Sequence, residues 1–242
     1  MKHIPNIITL ANLLCGCLSI VAAFSGELIL AGFLIFLAAI FDFLDGFLAK
    51  LLNAHSELGK QLDSLADIVS FGVAPAMIAW VIIWEASVML GGFEGFPFSQ
   101  FSYVAFVMVL FSALRLAKFN AETTESEHFT GMPTPANGMF WASLPFVLYA
   151  LCENELLGLE AFLFHPITIA TLCVIFATLL VLPIPMMSLK FKKFDFKSNW
   201  QRFVLIGIVL GLFIFIGFSA IAVGILIYPL FSFFLAKNKK VA

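Results

Sequence analysis

Four aspartates in two consecutive apolar segments are the residues of this 242-residue chain best suited to chemistry. Asp42 and Asp45 are separated by three positions, and Asp63 and Asp67 by four. Both spacings place side chains on one face of an α-helix. Acidic side chains within a membrane are energetically costly and by default mark a functional site. The sequence therefore predicts that the four carboxylates converge inside the bilayer.

Four carboxylates in a medium of low dielectric constant must be protonated, paired with bases or neutralised by cations. The two nearby lysines, Lys50 and Lys60, are too few to neutralise them. Oxygen ligands without His or Cys favour Mg²⁺ or Mn²⁺ over zinc. A pair of such ions stabilises both the attacking and the leaving oxygen in displacement at phosphorus. Apolar walls around this site predict a lipid pyrophosphate substrate.

The composition requires that membrane helices position these acids. The chain is 62% hydrophobic and 12% charged, and its mean hydropathy is +1.06, which excludes a soluble fold. The net charge of −2 gives no indication of nucleic-acid binding. We expect an all-α polytopic bundle of about eight transmembrane helices, near residues 5–25, 28–52, 60–91, 99–119, 136–152, 164–186, 202–217 and 219–236.

The distribution of positive charge predicts the orientation of this bundle. Every Lys and Arg lies near the ends of the chain, in alternate connections, or on helix ends beside those connections. This pattern indicates an even number of spans with both termini in the cytoplasm. The breaker run at residues 72–75 should kink the overlong third span and helps to explain its length. The acids lie on the cytoplasmic side of the second and third spans, within reach of a lipid headgroup.

The aspartate segment resembles the signature of a known family. Its pattern is Asp42-Phe-Leu-Asp45-Gly46-Phe-Leu-Ala49-Lys50, eight residues, then Gly59, Asp63 and Asp67 at intervals of four. It is similar to the motif DxxDGxxAR(x8)GxxxDxxxD of the CDP-alcohol phosphatidyltransferases, and seven of its eight fixed positions match. The departure is Lys50 in place of Arg, which keeps the positive charge and loses the bidentate fork.

Further segments resemble the branch of this family that uses L-serine. They are residues 4–12, 61–75, 114–120 and 129–135, so the resemblance covers about the first 140 residues. It implies a catalytic helical core over residues 1–186, followed by a basic cytoplasmic loop and two more helices over residues 187–242. It also implies a homodimer in a bacterial inner membrane, with the active site facing the cytoplasm.

The resemblance implies a role for each matching residue. An alcohol would attack the lipid-side phosphorus of CDP-diacylglycerol, and CMP would leave. Two Mg²⁺ or Mn²⁺ ions would be held by the four aspartates, and Asp67 would also accept the proton of the attacking hydroxyl. The residues expected to bind CDP-diacylglycerol are Asn6, Thr9, Gly46, Ala49, Lys50, Ser56 and Gly59.

The acceptor alcohol is predicted by a second group of polar residues, Arg115, Lys118 and Asn120. Arg115 and Lys118 share a helical face and could converge on one anion, such as the carboxylate of L-serine. The same pair would suit a phosphate, so glycerol phosphate and inositol phosphate remain alternative acceptors. In other classes, a cation transporter could line its path with the same acids, and a non-catalytic scaffold would leave them unexplained.

Overall fold

A computed structural model describes the chain over residues 3–54, 56–90, 101–121, 129–186 and 196–239. This part of the chain is almost entirely helical, as the sequence predicts. The helices in chain order are α1 (Ile4–Phe24), α2 (Leu28–Leu51), α3 (Glu57–Asp67), α4 (Ala74–Met89), α5 (Val107–Ala121), α6 (Thr134–Glu153), α7 (Leu157–Leu163), α8 (Pro166–Val181), α9 (Phe196–Ile216) and α10 (Ser219–Lys239).

The predicted membrane bundle is confirmed by its long apolar helices. Four of the described helical stretches are long and apolar enough to cross a membrane: Ile4–Phe24, Leu28–Leu51, Glu57–Met89 and Ser102–Ala121. The last of these begins with a 3₁₀ turn, Ser102–Phe106. Each of the other predicted spans also coincides with a helix, and within the described residues three of these helices contain apolar stretches of 10–17 residues, Pro166–Val181, Phe203–Ile216 and Ser219–Pro229. The count of eight and the membrane orientation therefore stay predictions, as does the division at residue 186.

The third span is one continuous helical stretch, and its hydrogen-bonding pattern changes beside the breaker run. A π-helical stretch, Ile68–Val73, joins α3 to α4 without leaving the helix axis, and Pro75 follows in the first turn of α4. Within this stretch Ser70 and Phe71 are fully buried. The Ser70 hydroxyl donates to the backbone carbonyl of Asn12 over 3.0 Å. The π-helical stretch is therefore tied directly to α1.

Helix α1 holds the aspartate-bearing helices in place. It packs along α2 and also contacts α3, the π-helical stretch and α4. Ser19 donates to the carbonyl of Ala31, and Gly16 lies so close to Ser70 that an added Cβ would be 2.5 Å from its hydroxyl oxygen. These close approaches need small residues at the helix contacts. The aspartates of α2 and α3 are thereby positioned around one common helix.

After α5, two short strands form an antiparallel pair, which we call the clasp. Strand β1 (Phe129–Thr130) pairs antiparallel with β2 (Pro185–Met186). Gly131 donates to Ile184 over 3.0 Å, and Met132 donates to Leu179 over 2.9 Å. The span predicted to reach residue 186 therefore ends as α8 at Val181, because the following residues leave the helix to form this pairing. Backbone of this kind is tolerated near a membrane where it is covered by protein.

Candidate active site

Three carboxylates meet where α2 and α3 approach each other. One carboxylate oxygen from each of Asp42, Asp63 and Asp67 can be chosen so that all three lie within 4.8 Å of one another. Asp42 and Asp63 are partly exposed, whereas Asp67 is buried. Asp63 and Asp67 are one helical turn apart on α3, so their side chains stack on the face that meets α2. We call Asp42, Asp63 and Asp67 the acid cluster.

The acid cluster has the donor set of a hard divalent cation site. Its ligands are carboxylate oxygens, and Oδ1 of the buried Asp67 has no hydrogen-bond partner within the described residues. Buried polar atoms are normally paired, and an unpaired oxygen on a carboxylate that clusters with two other acids is suited to coordinating a cation. The cluster therefore fits a divalent metal ion, as the sequence predicts.

Asp45 lies outside this group of three. Its Oδ2 accepts a hydrogen bond of 2.6 Å from the Thr9 hydroxyl on α1, and the residue is only 5% exposed. Asp45 still interacts electrostatically with Asp63 across the site. The predicted set of four acids is therefore arranged as three clustered carboxylates and a neighbour held by α1.

A cavity of about 540 Å³ opens beside the acid cluster, walled by α1, α2, α3 and the turn between α2 and α3. It contains six of the seven residues predicted to bind CDP-diacylglycerol: Asn6, Thr9, Gly46, Ala49, Ser56 and Gly59. Two of the acids, Asp45 and Asp63, also line it. We call this space the α1–α3 cavity. Residues that the sequence places far apart thus share one compartment in contact with the acid cluster.

The glycines of the α1–α3 cavity have different surroundings. A Cβ added at Gly46 would meet no atom within 4 Å, so the small residue leaves open space and is not needed for a helix contact. A Cβ at Gly59 would lie 3.2 Å from Oδ1 of Asn6 and 3.1 Å from the Ser56 hydroxyl. Ser56 is the N-cap of α3 and accepts a hydrogen bond from the Gly59 N–H. Its hydroxyl thus has a structural role in starting the helix.

The lysine that lines the α1–α3 cavity is Lys60, not Lys50. Lys50 is exposed in the last turn of α2, outside the cavity lining. Glu57 and Lys60 were missed as site residues by the sequence analysis. The signal was available, since Lys60 precedes Asp63 by three positions and therefore shares its helical face.

The three predicted acceptor residues on α5 do not share one environment. Arg115 is half-buried, and its Nη1 donates to the Thr134 hydroxyl over 2.7 Å. Asn120 donates to the Ser64 hydroxyl on α3 over 2.8 Å, and Lys118 is exposed. Arg115 also interacts electrostatically with Asp67. Among the three, Arg115 is thus the one placed beside the acid cluster.

Other buried polar side chains near the site were not predicted as functional residues. Asn12 is fully buried beside Asp67, and Thr134 and Asn137 are fully buried at the start of α6. Polar residues within apolar spans are the available signal, but hydropathy alone cannot distinguish a site residue from an interhelical hydrogen bond. Asn12 beside Asp67 and Thr134 beside Arg115 extend the polar interior beyond the α1–α3 cavity.

Comparison with known proteins identifies the class that this fold and site define. Residues 2–226 match the CDP-alcohol phosphatidyltransferase family. Because the match covers most of the chain, the protein belongs to this family.

Individual relatives carry more specific names. The chain is 37% identical over 146 residues to the CDP-diacylglycerol--serine O-phosphatidyltransferase of Bacillus subtilis, covering 60% of this chain and 77% of that protein. It is 36% identical over 159 residues to the enzyme of the same name from Helicobacter pylori, covering 64% and 60%. An archaetidylserine synthase of Methanothermobacter thermautotrophicus is 36% identical over 139 residues, covering 54% of this chain and 53% of that protein.

Proposed function

We propose that the protein transfers the phosphatidyl group of CDP-diacylglycerol to the hydroxyl of L-serine and releases CMP. The observation that carries this proposal is that the acid cluster touches both substrate compartments: Asp63 lines the α1–α3 cavity, and Asp67 interacts with Arg115. The names of the Bacillus subtilis and Helicobacter pylori relatives support serine as the acceptor.

In this proposal the α1–α3 cavity binds the CDP portion of the lipid. Helix α3 begins at the cavity, because Ser56, Glu57 and Gly59 line it. The N-terminus of a helix favours an anion through its free N–H groups and its dipole. Lys60 adds a positive charge from the same turn. The open space at Gly46 lets the diphosphate approach the backbone of α2 closely.

The acid cluster would hold the divalent metal, which we propose to be two ions of Mg²⁺ or Mn²⁺. Bound ions of this kind supply neutralisation of the diphosphate and orientation for displacement at phosphorus. Asp42, Asp63 and Asp67 are the proposed ligands. Asp45, which Thr9 holds at the edge of the cluster, completes the acidic lining on the cavity side.

The reaction is a displacement at the phosphorus that carries the diacylglycerol. The serine hydroxyl oxygen forms a new bond to this phosphorus, while the bond to the oxygen that bridges to CMP breaks and its electron pair leaves with CMP. The hydroxyl proton passes to a carboxylate oxygen of Asp67. Oδ1 of this residue supports the role, because it is buried and has no hydrogen-bond partner in the described chain, and Asp67 interacts electrostatically with Arg115.

Arg115 is the proposed contact for the carboxylate of serine. A guanidinium has five donors in a planar fork, and the bond to Thr134 uses one of them. Its Nε is buried without a hydrogen-bond partner among the described residues. A bidentate contact to a carboxylate would satisfy such donors.

The test supplies purified protein and Mn²⁺ or Mg²⁺ with CDP-diacylglycerol and one acceptor at a time: serine, glycerol 3-phosphate, inositol phosphate or choline. We expect phosphatidylserine and CMP in equal amounts, dependent on both metal and serine. Asp63→Asn should abolish turnover, whereas Glu27→Gln, an exposed acid at the start of α2, should not.

Turnover with a phosphorylated alcohol and none with serine would refute the acceptor and leave the family chemistry intact. Transport of a divalent cation into vesicles that contain the protein, without release of CMP, would instead favour a transporter.

We further propose a homodimer in a bacterial inner membrane, with the active site on the cytoplasmic side. The family resemblance supports the dimer, and the alternation of Lys and Arg along the sequence supports the orientation. Chemical crosslinking in detergent should give a dimer, and a product that remains monomeric would contradict this assignment.

A further inference from the structure

Arg115 and Asp67 are close enough to interact, yet they do not saturate each other's hydrogen-bonding groups. The two side chains attract electrostatically, but Nε of Arg115 and Oδ1 of Asp67 both lack hydrogen-bond partners within the described ranges. An arginine left free beside a buried carboxylate would be expected to form a bidentate pair with it. Some other contact therefore holds the guanidinium in its place.

One such contact is the Thr134 hydroxyl, which accepts from Nη1 of Arg115. Thr134 is the first residue of α6 and follows directly from the clasp between β1 and β2. The clasp is fixed by backbone hydrogen bonds from Met132 to Leu179 near the end of α8 and from Gly131 to Ile184, just before β2. The position of Thr134 is therefore determined by paired backbone, and it provides a rigid anchor for one edge of the guanidinium.

Helix α10, the last helix of the chain, also lies near Arg115. Helix α10 packs along α6 and against β2 of the clasp. Tyr228 on α10 is only 4% exposed and lies close enough to Arg115 for the two groups to influence each other's ionisation. One turn later, Ser232 is also buried and donates to the Tyr228 carbonyl over 2.8 Å. The interior side of this apolar helix is thus polar at the level of Arg115.

Burial of a tyrosine hydroxyl among membrane helices is unfavourable unless the hydroxyl has a polar partner. Tyr228 has a side-chain hydrogen bond with Ser232, and Arg115 is a positively charged group near it. A phenolic oxygen can accept from a guanidinium N–H and at the same time donate to a nearby anion. The two properties suit a residue at the edge of an anion-binding arginine.

We propose that Tyr228 is a positioning residue that, together with Thr134, holds Arg115 away from Asp67 and directed at the carboxylate of the acceptor. This inference rests on the proposed function, because the acceptor contact belongs to Arg115. It gives the last helix a role in acceptor selection, although α10 lies about 160 positions from the acid cluster in sequence.

The test compares Tyr228→Phe with the wild type in steady-state assays that vary serine and CDP-diacylglycerol separately. We expect the KM for serine to rise roughly tenfold, the effect of losing one hydrogen bond to a charged group, with the KM for CDP-diacylglycerol unchanged. Tyr149→Phe on α6 is the matched control, because Tyr149 is exposed, and it should behave as wild type.

A double-mutant cycle separates positioning from a direct contact. If Tyr228 acts through the guanidinium fork, Tyr228→Phe should raise the serine KM much less in an Arg115→Lys background than in the wild type. Additive effects in the cycle would contradict the positioning role.

Other outcomes are equally decisive. A wild-type serine KM in Tyr228→Phe would overturn the inference. Parallel loss of serine and CDP-diacylglycerol binding would show a structural role and would also overturn it. If the wild-type protein uses a phosphorylated alcohol and not serine, the proposed function fails, and the same comparison of KM values for that alcohol still tests Tyr228.

Discussion

The Thr9 hydroxyl donates a 2.6 Å hydrogen bond to Asp45 and thereby connects helix α1 to an acid of the active site. The carbonyl of Pro5 is also within reach, at 3.1 Å, but a hydroxyl has only one proton to donate. The shorter bond to a carboxylate is the stronger one, since hydrogen bonds to charged groups are about twice as strong as neutral ones. Thr9 therefore positions Asp45 as well as lining the α1–α3 cavity.

Replacing Thr9 tests this relationship. Thr9→Val keeps the shape and removes the donor, which leaves a buried carboxylate without its partner. We expect kcat/KM for CDP-diacylglycerol to fall roughly 10- to 100-fold, because the loss of such a bond is worth about 1.5–3 kcal/mol. Thr9→Ser keeps the hydroxyl and should retain most activity. Equal activity of the Val and Ser variants would contradict the role of the hydrogen bond.

Because Asp45 lies outside the acid cluster, its replacement should affect metal affinity differently from replacement of a cluster member. Asp42→Asn and Asp63→Asn should weaken Mn²⁺ binding strongly, because amides are poorer ligands for hard cations. Asp45→Asn should retain more Mn²⁺ affinity, since Asp45 lies outside the acid cluster. Electron paramagnetic resonance of free Mn²⁺ measures this directly and does not depend on turnover. A loss of affinity in Asp45→Asn as large as in Asp42→Asn would place Asp45 among the ligands.

Asp67 should be distinguishable from Asp42 by its effect on substrate binding. Both Asn variants are expected to abolish turnover. If proton acceptance is the more important role of Asp67, then Asp67→Asn should retain CDP-diacylglycerol binding better than Asp42→Asn does. Equilibrium binding of the lipid nucleotide to each purified variant makes the comparison. Equal losses would argue against the proton-accepting role.

Lys60 and Lys50 can be compared directly to find which of them contacts the phosphate. Lys60 lines the α1–α3 cavity, whereas the family resemblance assigns the phosphate contact to Lys50. From the geometry we expect Lys60→Ala to raise the KM for CDP-diacylglycerol about tenfold, as for one lost charge-assisted hydrogen bond, and Lys50→Ala to have a smaller effect. The reverse order would return the phosphate contact to Lys50, where Lys50→Arg should then be tolerated.

Two glycines should respond differently to the same substitution. Gly46→Val adds a side chain to open space in the cavity, so CDP-diacylglycerol binding should fall while thermal stability stays near that of the wild type. Gly16→Val places a side chain against Ser70 and should destabilise the fold by about 1–3 kcal/mol. Thermal unfolding in detergent, together with lipid binding, separates the two effects. A large loss of stability in Gly46→Val would indicate a helix contact in place of a ligand contact.

The sequence was sufficient to predict the long helices and most of the cavity lining. Apolar runs end where polar residues reach water, so the first two predicted spans agree with Ile4–Phe24 and Leu28–Leu51 to within one residue. The sixth span was predicted too long, because hydropathy cannot detect that Pro185 and Met186 pair with β1. Helix α7 was missed because a helix of seven residues is too short to show a detectable hydrophobic repeat.

The arrangement within the site depended on tertiary contacts that spacing does not contain. Residues three apart on a helix are offset by about 60°, so Asp42 and Asp45 can face different neighbours, and Thr9 captures the second. Arg115 and Lys118 share a similar spacing, but only the former lies against α6. Tyr228 could not have been selected at all, because nothing local to its helix signals the proximity of Arg115.

The π-helical stretch Ile68–Val73 sets the rotational phase between two helices with different tasks. Before it, α3 turns Asp63 and Asp67 toward α2, and after it, α4 is buried against its neighbours. A wider turn accommodates one additional residue, so removing a single residue here would rotate the two acids by about 100° relative to α4. The number of residues between Asp67 and Ala74 is therefore constrained by the relative orientation of the two helices, in addition to the buried contacts of Ser70 and Phe71. Insertions and deletions in this stretch should disrupt the site even where both buried residues are kept.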